Sequence, residues 1–420
     1  MPSEQDPGVS RALIADLHCH YPMHLPEAAA RDEEPDSELG VGAFKAMTRG
    51  RSRWVNKLRR FLLARAAEEI NFETTDASWR VDLAKLRAGG VGVVLSVLYQ
   101  PFAEMDIGKW PLGRPEAGYF DDLMAQLEAV EEELIELDPD QDEHRIIRSG
   151  RDLEEALARG QTAFVHCVEG GFHLGSTEDE VRRNVRALAR SGVAYVTLAH
   201  LFFRKVAKNT PALPFLKEWQ YRLLFFQPGR RGLTKLGRAA VEAMYEERIL
   251  IDVSHMREDA IEEVFALVEG LDEEHGNPPK RSPIIATHEG YRFGEQSYNL
   301  SPATIRRIAG RGGIIGLILA EHQICDGGRP VPETIDDSVA LLCDHIEAMV
   351  EAGAGYENIG LGTDLDGFIK PTLAGLQNAD DLAQIPERLR SRFPDDAEAI
   401  LGQNAIRVLQ TMFEGRGGPV

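Results

Sequence analysis

Ile14-Ala-Asp-Leu-His-Cys-His20 is an apolar segment near the start of the chain that ends in two histidines. Side chains two residues apart in a strand project from one face of the sheet, so His18 and His20 would present two imidazoles to a single point. Such a pair is a metal site in outline, although isolated His-x-His pairs are also common among core and surface histidines. The prediction therefore depends on whether other segments supply further ligands.

The composition is that of a globular protein with a large core, with 43% hydrophobic and 27% charged residues in 420. We expect a single barrel domain over residues 1–420. No apolar run reaches the roughly 18 residues of a membrane span, and the N-terminus does not resemble a secretory signal, so a cytoplasmic protein is expected. The net charge of −21 argues against nucleic-acid binding. The four cysteines are widely spaced, which argues against disulfides or a structural zinc site.

Eight apolar segments rich in β-branched residues alternate with amphipathic segments. This alternation predicts an α/β fold, a closed parallel (β/α)8 barrel of the TIM type. A doubly wound open sheet is the alternative, but no Gly-x-Gly-x-x-Gly turn follows an early strand. The predicted strands are 11–17, 91–98, 162–168, 193–198, 249–253, 283–286, 313–319 and 358–362.

Metal-competent side chains stand at the ends of six predicted strands, which in such a barrel all lie on the C-terminal rim where active sites are built. For any one of them, a hydrogen-bonded core residue is an equally good interpretation, but the whole set favours a site. The set comprises His18, His20, Glu169, His200, His255, His288 and Asp364. The other histidines are predicted to be non-catalytic, His24, His144, His173 and His275 in loops and His345 in a helix; His166 and His322 are left undecided.

Imidazoles and carboxylates without thiolates suit zinc or another divalent ion. Five ligands are too many for one tetrahedral ion, so we expect two ions that share Glu169 as a bridge. A hydroxide held between them would attack a carbonyl carbon. Asp364 would accept the proton and His200 would stabilise the oxyanion. The sequence therefore predicts metal-assisted hydrolysis, with an amide as the expected substrate.

An ordered series of motifs resembles the renal (membrane) dipeptidase family of zinc peptidases in the amidohydrolase superfamily. The motifs are Asp16-Leu-His-Cys-His20, Val168-Glu-Gly-Gly171, Tyr195-Val-Thr-Leu-Ala-His200, Gly232-Leu-Thr-x-x-Gly237, Leu250-Ile-Asp-Val-Ser-His255, Thr287-His288 and Gly360-Leu-Gly-Thr-Asp-Leu-Asp-Gly367. The resemblance implies a (β/α)8 barrel with a binuclear zinc centre that hydrolyses dipeptides, often with a D-residue at the C-terminal position.

The resemblance also implies a role for each residue. His18 and His20 would hold one metal, Glu169 would bridge, and His255 and His288 would hold the second metal. His200 resembles the substrate-contacting histidine of the family, and Asp364 resembles its active-site aspartate. The partner expected is therefore a dipeptide or another small molecule.

Two departures from the family pattern affect the metal and the substrate. The usual His-x-Asp motif is replaced by His18-Cys-His20, which makes the site about one charge more positive and leaves the identity of the metal open. An Arg-Asn pair that contacts the substrate carboxylate is replaced by Tyr298-Asn299, and tyrosine cannot make the bidentate contact of arginine. Arg292 is the candidate substitute. An ester, lactone or cyclic-amide hydrolase and a catalytically silent binding barrel therefore remain as alternatives.

Two helical insertions are predicted, at about 22–79 after the first predicted strand and 201–231 after the fourth. Residues 40–65 carry eight basic side chains and no acidic one beside apolar residues at helical spacing, and the second insertion is rich in aromatic residues. Both should rise on the catalytic rim, where we expect them to narrow access to the metals or to form the contact of a homodimer. The alternatives are ordinary packed helical hairpins and a peripheral membrane contact, which the acidic charge of the whole chain disfavours.

Overall fold

Eight parallel strands close into a barrel because the strand Val91–Leu98 pairs with the strand Thr162–Glu169 over residues 93–98 and 163–168. The computed structural model describes residues 13–24, 79–100, 104, 115–116, 118–213, 216–367, 371–414 and 416. The strands in this part of the chain are β1 Ile14–Cys19, β2 Val91–Leu98, β3 His144–Ile146, β4 Thr162–Glu169, β5 Tyr195–Thr197, β6 Leu250–Asp252, β7 Ile284–Glu289, β8 Ile315–Leu317 and β9 Ile359–Leu361. The predicted (β/α)8 barrel is confirmed.

The strand β3 is additional to the eight of the barrel. It pairs with the start of β4, whereas β5 pairs with the end of β4. The prediction that His144 lies in a loop was wrong, because His144 begins this strand. The segment His144-Arg-Ile146 is too short and too polar to stand out as a strand by its pattern.

Helices surround the barrel in the order expected of βα units. They are α1 Leu83–Gly89, α2 Gly118–Leu137, α3 Gly150–Arg159, α4 Glu178–Arg190, α5 Glu218–Leu224, α6 Lys235–Glu247, α7 Glu258–His275, α8 Pro302–Gly310, α9 Glu321–Ile324, α10 Ile335–Glu351, α11 Ile385–Arg392 and α12 Asn404–Phe413. Short 3-10 turns span Tyr21–His24, Gly171–Leu174, Pro279–Arg281, Asp326–Gly328, Tyr356–Asn358 and Ala379–Gln384, and a π-helical turn spans Ala399–Gln403. No helix among the described residues is long and apolar enough to cross a membrane.

Alternate side chains along the strands fill the inside of the barrel. Leu17 of β1 is joined there by Leu95 of β2 and Val165 of β4, all of them buried. The helix α12 contributes Val408 and Met412 to the same cluster. Because apolar side chains fill the inside of the barrel, the polar side chains of the candidate site lie at the C-terminal ends of the strands.

Of the two predicted insertions, mainly the second lies within the described residues. Most of the first, residues 25–78, lies outside the described residues, and so does the basic segment 40–65. The second contains α5, whose inner side chain Tyr221 is buried and donates a hydrogen bond to the Leu201 carbonyl. The outer side chains Trp219 and Leu223 are exposed.

Candidate metal centre

Four histidines surround the side chain of Glu169 at the C-terminal mouth of the barrel. His18 Nε2 lies 3.4 Å from Glu169 Oε1, and His20 Nε2 lies 3.3 Å from Oε2. His255 Nε2 and His288 Nε2 each lie 3.5 Å from Oε1. Within each pair the two Nε2 atoms are close, 3.3 Å for His18 and His20 and 2.8 Å for His255 and His288. The side chains predicted as ligands therefore form one cluster.

Two of these histidines lie at irregularities in their strands. In β1 the register against β2 shifts within residues 16–19, and in β7 the register against β8 shifts within residues 286–289. In both places three steps along one strand oppose two steps along its neighbour, which is the geometry of a β-bulge. A bulge re-aims a side chain at the end of a strand. His18 and His288 therefore owe their directions to bulges as well as to the simple alternation expected from the sequence.

The hydroxyl of Thr287 determines which ring nitrogen is protonated in two of the candidate ligands. It donates its one proton to Asp252 Oδ2 at 2.7 Å. The same oxygen lies 3.1 Å from His18 Nδ1 and 2.9 Å from His288 Nδ1. Because a hydroxyl has a single proton, these two contacts require protons on the imidazole Nδ1 atoms. The Nε2 atoms, which face Glu169, are then free to bind a metal.

A second contact fixes His18 in the same way. The hydroxyl of Tyr195 donates to the Leu17 carbonyl at 3.0 Å and lies 2.9 Å from His18 Nδ1. Since the single proton of the Tyr195 hydroxyl is donated to the Leu17 carbonyl, the hydroxyl accepts a hydrogen bond from His18 Nδ1. His18 is thus oriented by two acceptors, whereas Thr287 is the acceptor for His288.

Hydrogen bonds within two aspartate–threonine pairs connect neighbouring strand ends on both sides of the centre. Asp252 accepts the backbone N–H of Thr287 at 3.1 Å in addition to its hydroxyl. Asp16 accepts the backbone N–H of Thr363 at 2.9 Å and its hydroxyl at 2.6 Å. Burial raises the pKa of Asp16 to about 6, although these hydrogen bonds oppose the rise. The two pairs tie β6 to β7 and β1 to the residues that follow β9.

Asp364 lies beside the first histidine pair, with Oδ1 at 3.1 Å from His20 Nε2 and 3.7 Å from His18 Nε2. Asp364 and His255 both have a left-handed backbone, with φ of 58° and 63°. Such a conformation is strained for residues other than glycine and persists only where neighbours enforce it. Here the Asp364 N–H donates to the His18 carbonyl at 2.8 Å, and the His255 N–H donates to Glu289 Oε1 at 3.2 Å.

His200 approaches the centre from the end of β5. Its Nε2 lies 3.3 Å from Glu169 Oε2, and its Nδ1 donates to Glu104 Oε2 at 2.6 Å. Glu104 is buried and also accepts hydrogen bonds from the Tyr99 hydroxyl and the Phe202 N–H. Burial opposes charge on both partners, but the carboxylates of Glu169 and Glu104 raise the pKa of His200, and His200 lowers the pKa of Glu104.

The pKa values of two histidines in the cluster are shifted in opposite directions. Burial opposes a charge on His20, but the nearby carboxylates of Asp364 and Glu169 raise the pKa of His20 to about 10. Burial and the neighbouring imidazoles lower the pKa of His288 well below its usual range. His288 is therefore neutral, which is the state in which an imidazole binds a metal.

The two residues predicted to bind substrate have other contacts. Tyr298 is buried, its hydroxyl donates to the His288 carbonyl at 2.9 Å, and its ring meets the His255 ring edge-on. The Arg292 guanidinium contacts Glu258 at 3.2 Å and donates to two backbone carbonyls of its own loop. Tyr298 therefore lines the centre, whereas Arg292 is engaged in the loop after β7.

The chemistry of the cluster fits metal ions. Three groups of side chains bring one ligand atom each to within 4.8 Å of one another: His18 with His20 and Glu169, Glu169 with His255 and His288, and His18 with Asp252 and His288. Both oxygens of Glu169 are buried and accept no hydrogen bond from the part of the chain that the structure describes. A buried carboxylate without a partner is costly, and a cation would satisfy it.

The histidines predicted to be non-catalytic have ordinary structural contacts where their side chains are described. Each has a ring nitrogen within hydrogen-bonding distance of a backbone carbonyl, as in His144 with Leu134, His173 with Gly170, His275 with Leu271 and His345 with Ile324. His275 ends α7 and does not lie in a loop as predicted. Of the two undecided residues, His166 lies 3.4 Å from Glu131 of α2, and His322 lies in α9.

The groups that support the cluster, chiefly Glu104, Asp252 and Thr287, were not predicted from the sequence. Asp252 and Thr287 stood inside quoted motifs but were given no role. Glu104 lies six positions beyond the end of β2, the second of the predicted strands, for which no polar group was proposed. The sequence does contain an indication of Glu104. The second predicted strand has no polar residue assigned at its end, so a polar residue shortly after it is a candidate for the rim.

Comparisons with known proteins agree with this geometry. The model of the membrane dipeptidase family, peptidase family M19, matches residues 9–415. Dipeptidase tcpJ of Claviceps purpurea is 25% identical over 369 residues, which cover 86% of this chain and 76% of that protein. Dipeptidase verJ of Clonostachys rogersoniana is 24% identical over 338 residues, which cover 79% of this chain and 76% of that protein.

Solved structures show the same fold. The dipeptidase AC, a metallopeptidase of family M19, superposes with a TM-score of 0.62 at 18% identity and covers 84% of this chain and 95% of its own. A metallopeptidase from Rhodobacter sphaeroides, liganded with a phosphinate mimic of the dipeptide L-Ala-D-Ala, has a TM-score of 0.61 at 18% identity. The match covers 84% of this chain and 96% of that chain. The chain belongs to the membrane dipeptidase family and is a metal-dependent, dipeptidase-like hydrolase.

Proposed function

We propose that this protein is a binuclear metal-dependent dipeptidase that cleaves the amide bond of a dipeptide or a related small amide. The observation that carries the proposal is the position of Glu169 between two histidine pairs. Its Oε2 faces His20 at 3.3 Å, and its Oε1 faces His255 and His288 at 3.5 Å and His18 at 3.4 Å. A carboxylate whose two oxygens both face histidines can serve two ions at once. A single tetrahedral ion would need only one of these oxygens.

In this proposal His18, His20 and Glu169 hold one ion, and Glu169, His255 and His288 hold the other. Bound divalent ions supply Lewis-acid polarisation of the scissile carbonyl and lower the pKa of a water molecule. Zinc is the metal we expect, because the ligands are imidazoles and a carboxylate without thiolates. Orientation of the Nε2 atoms by Thr287 favours binding before any substrate arrives.

The other side chains of the cluster would handle the proton and the developing charge. Asp364 Oδ1, 3.1 Å from His20 Nε2, is close enough to the centre to accept a proton from the attacking water and to pass it to the leaving amine. His200 Nε2 points at the same centre from β5 and would stabilise the negative charge on the carbonyl oxygen. Both side chains are almost fully buried, and such charge interactions are strengthened away from bulk water.

A small substrate agrees with the comparison and with the burial of the side chains of the centre. The related Rhodobacter sphaeroides enzyme was crystallised with a phosphinate mimic of L-Ala-D-Ala, a ligand of dipeptide size. In the present chain none of His18, Glu169, His288 or Asp364 is more than 6% exposed. We therefore propose dipeptides, including those with a C-terminal D-residue, as the substrates.

A second candidate is an ester, lactone or cyclic-amide hydrolase. It is favoured by the contacts of Arg292, whose guanidinium is engaged by Glu258 and by carbonyls of its own loop. Tyr298 lines the centre but carries no charge to bind a terminal carboxylate. Substrates without that carboxylate would not need such a contact.

The experiment is a substrate panel on the metal-loaded protein. Matched L,L- and L,D-dipeptides are compared with esters, lactones and cyclic amides, and kcat/KM is measured for each. The proposal expects a dipeptide to have the highest kcat/KM and Asp364→Asn to abolish the reaction. A higher kcat/KM for a lactone or ester would support the second candidate. No turnover of any substrate by a fully metal-loaded protein would indicate a binding barrel.

A further inference from the structure

We propose that the outer face of α5, together with the loop that follows it, is a docking surface for an anionic lipid bilayer. Its apolar part consists of Trp219, Leu223 and Phe226, which are 64%, 74% and 67% exposed. Seven large apolar side chains are strongly exposed in the part of the chain that the structure describes, and four of them lie within residues 219–226. Single exposed apolar residues are normal on a protein surface, whereas a cluster of them marks an interaction site.

The inner side of α5 is firmly attached to the rim of the barrel. Tyr221 is fully buried; its hydroxyl donates to the Leu201 carbonyl and accepts from Asn209 Nδ2 at 2.7 Å. Glu218 Oε1 accepts both the N–H and the hydroxyl of Ser297, each at 2.7 Å, from the loop after β7. The exposed apolar side chains are therefore carried by an anchored helix at the C-terminal rim.

The apolar side chains project from one side of this helix. Trp219 and Leu223 are four positions apart, which places them one turn apart on the same face and opposite the buried Tyr221. Phe226 follows two positions after the last helical residue, Leu224, and is also exposed. A short helix that directs large apolar side chains outward suits a flat apolar layer.

Basic side chains accompany this apolar face. Lys217, Arg222, Arg230 and Arg231 are exposed beside it. Residues 201–238 contain nine basic side chains and one acidic one, although the whole chain has a net charge of −21. Attraction to a charged bilayer falls off within a Debye length of about 10 Å, so the local charge decides the contact. The acidic charge of the rest of the chain therefore does not oppose docking at this surface.

The sign of the charge also selects the occupant. A second copy of this chain that docked symmetrically would bring the same lysine and arginine side chains face to face, and like charges across an interface are costly. Segment 40–65 of this chain has eight basic side chains and no acidic one, so it carries the same sign. An anionic bilayer offers both an apolar layer for tryptophan, phenylalanine and leucine and phosphate groups for lysine and arginine.

Co-sedimentation of the full-length protein with lipid vesicles tests the proposal. We expect binding to vesicles of phosphatidylcholine mixed with phosphatidylglycerol, loss of that binding at high salt, and at least about tenfold weaker binding to phosphatidylcholine alone. Quenching of tryptophan fluorescence by brominated phosphatidylcholine in the mixed vesicles should accompany binding. Trp219→Phe keeps an aromatic ring, so it should still bind but lose this quenching.

Two double variants separate the apolar and the basic parts of the surface. Trp219→Ser with Leu223→Ser should weaken binding to the mixed vesicles at least about a hundredfold, because burying each such side chain contributes about ten- to hundredfold. Arg230→Gln with Arg231→Gln should weaken it about 25-fold, since each basic side chain near an anionic surface contributes about fivefold.

Ile135→Ser with Leu137→Ser is the matched control. These side chains are also exposed, at 48% and 55%, but they lie at the end of α2 and belong to neither part of the surface. The control should bind the mixed vesicles as the parent protein does.

The proposal is overturned if the parent protein does not bind the mixed vesicles, if it binds phosphatidylcholine alone equally well, or if the Trp219 and Leu223 double variant binds as the parent does. A dimer of the parent protein that this double variant abolishes, without vesicle binding, would overturn it in favour of a second copy as the occupant. No step requires turnover, so the result is independent of the dipeptidase proposal.

Discussion

Replacing Thr287 by valine removes one hydroxyl from beneath the metal centre while keeping the shape of the side chain. That hydroxyl donates to Asp252 and accepts from the Nδ1 atoms of His18 and His288. Two of the three partners keep another contact, since Asp252 still accepts from Thr197 at 2.6 Å and His18 still donates to a tyrosine hydroxyl at 2.9 Å. The Nδ1–H of His288 is left without this acceptor, and its orientation is no longer fixed.

The magnitude follows from these contacts. Losing one hydrogen bond to a buried carboxylate costs about 1.5–3 kcal/mol, and leaving a buried donor unsatisfied costs about 1–3 kcal/mol. We therefore expect the free energy of unfolding of the apo protein to fall by about 2.5–6 kcal/mol. Loss of a group that orients a metal ligand lowers metal affinity by about 10–100-fold. Because His288 is affected more than His18, the ion held by His255 and His288 should be lost first.

Zinc affinity is measured by competition with a chelator of known affinity, and unfolding is followed in urea with the metal removed. Thr363→Val is the matched control, because the Thr363 hydroxyl donates to the buried Asp16 at 2.6 Å and otherwise contacts backbone groups rather than an imidazole nitrogen. It should destabilise the apo protein and leave zinc affinity nearly unchanged. Equal zinc affinity in Thr287→Val and Thr363→Val would refute the role of Thr287 in orienting the ligands.

Three further changes test separate parts of the molecule. Glu169→Gln should weaken metal binding by about 3–5 kcal/mol, because a buried charge that faces several partners is removed; calorimetric titration with zinc that gave the parent affinity would contradict this. Tyr298→Phe should lower the free energy of unfolding by about 1 kcal/mol through loss of the hydrogen bond to His288 and should leave KM unchanged, whereas a raised KM at parental stability would indicate a substrate contact. Arg311→Met leaves Asp272 without its buried partner at 2.6 Å and should cost about 3–5 kcal/mol in urea unfolding without altering kcat; a parental midpoint would count against it.

The barrel was predictable from the sequence because its strands are mostly apolar runs, and most of them are followed by amphipathic segments. The exception is β3, whose three residues include a histidine and an arginine. It forms because the edge of β4 near Thr162–Phe164 is open to pairing, which is a property of the folded sheet and not of the segment itself.

The candidate ligands were predictable because polar residues at strand ends meet on one rim of a barrel. Their directions were not, since the bulges around His18 and His288 depend on pairing with neighbouring strands. Glu104 was missed for a related reason. It is distant in sequence from His200, and only the folded rim brings the two side chains together.

Two expectations stay as predictions. The basic segment 40–65 lies outside the described residues, so its expected role in narrowing access to the metals or in a homodimer contact stays a prediction. The substrate roles expected from the sequence for Tyr298 and Arg292 are also untested; because the structure gives each of them other contacts, we expect Tyr298→Phe to leave KM unchanged.

Metal stoichiometry tests the binuclear centre most directly, since that centre requires one carboxylate to serve two ions. Purified protein is loaded with zinc, freed of excess metal and analysed for metal per chain, alongside His255→Ala. We predict two equivalents in the parent protein and at most one in the variant, in which His18, His20 and Glu169 remain. A parent protein that retains no zinc, or a variant that retains as much as the parent, would contradict the proposed centre.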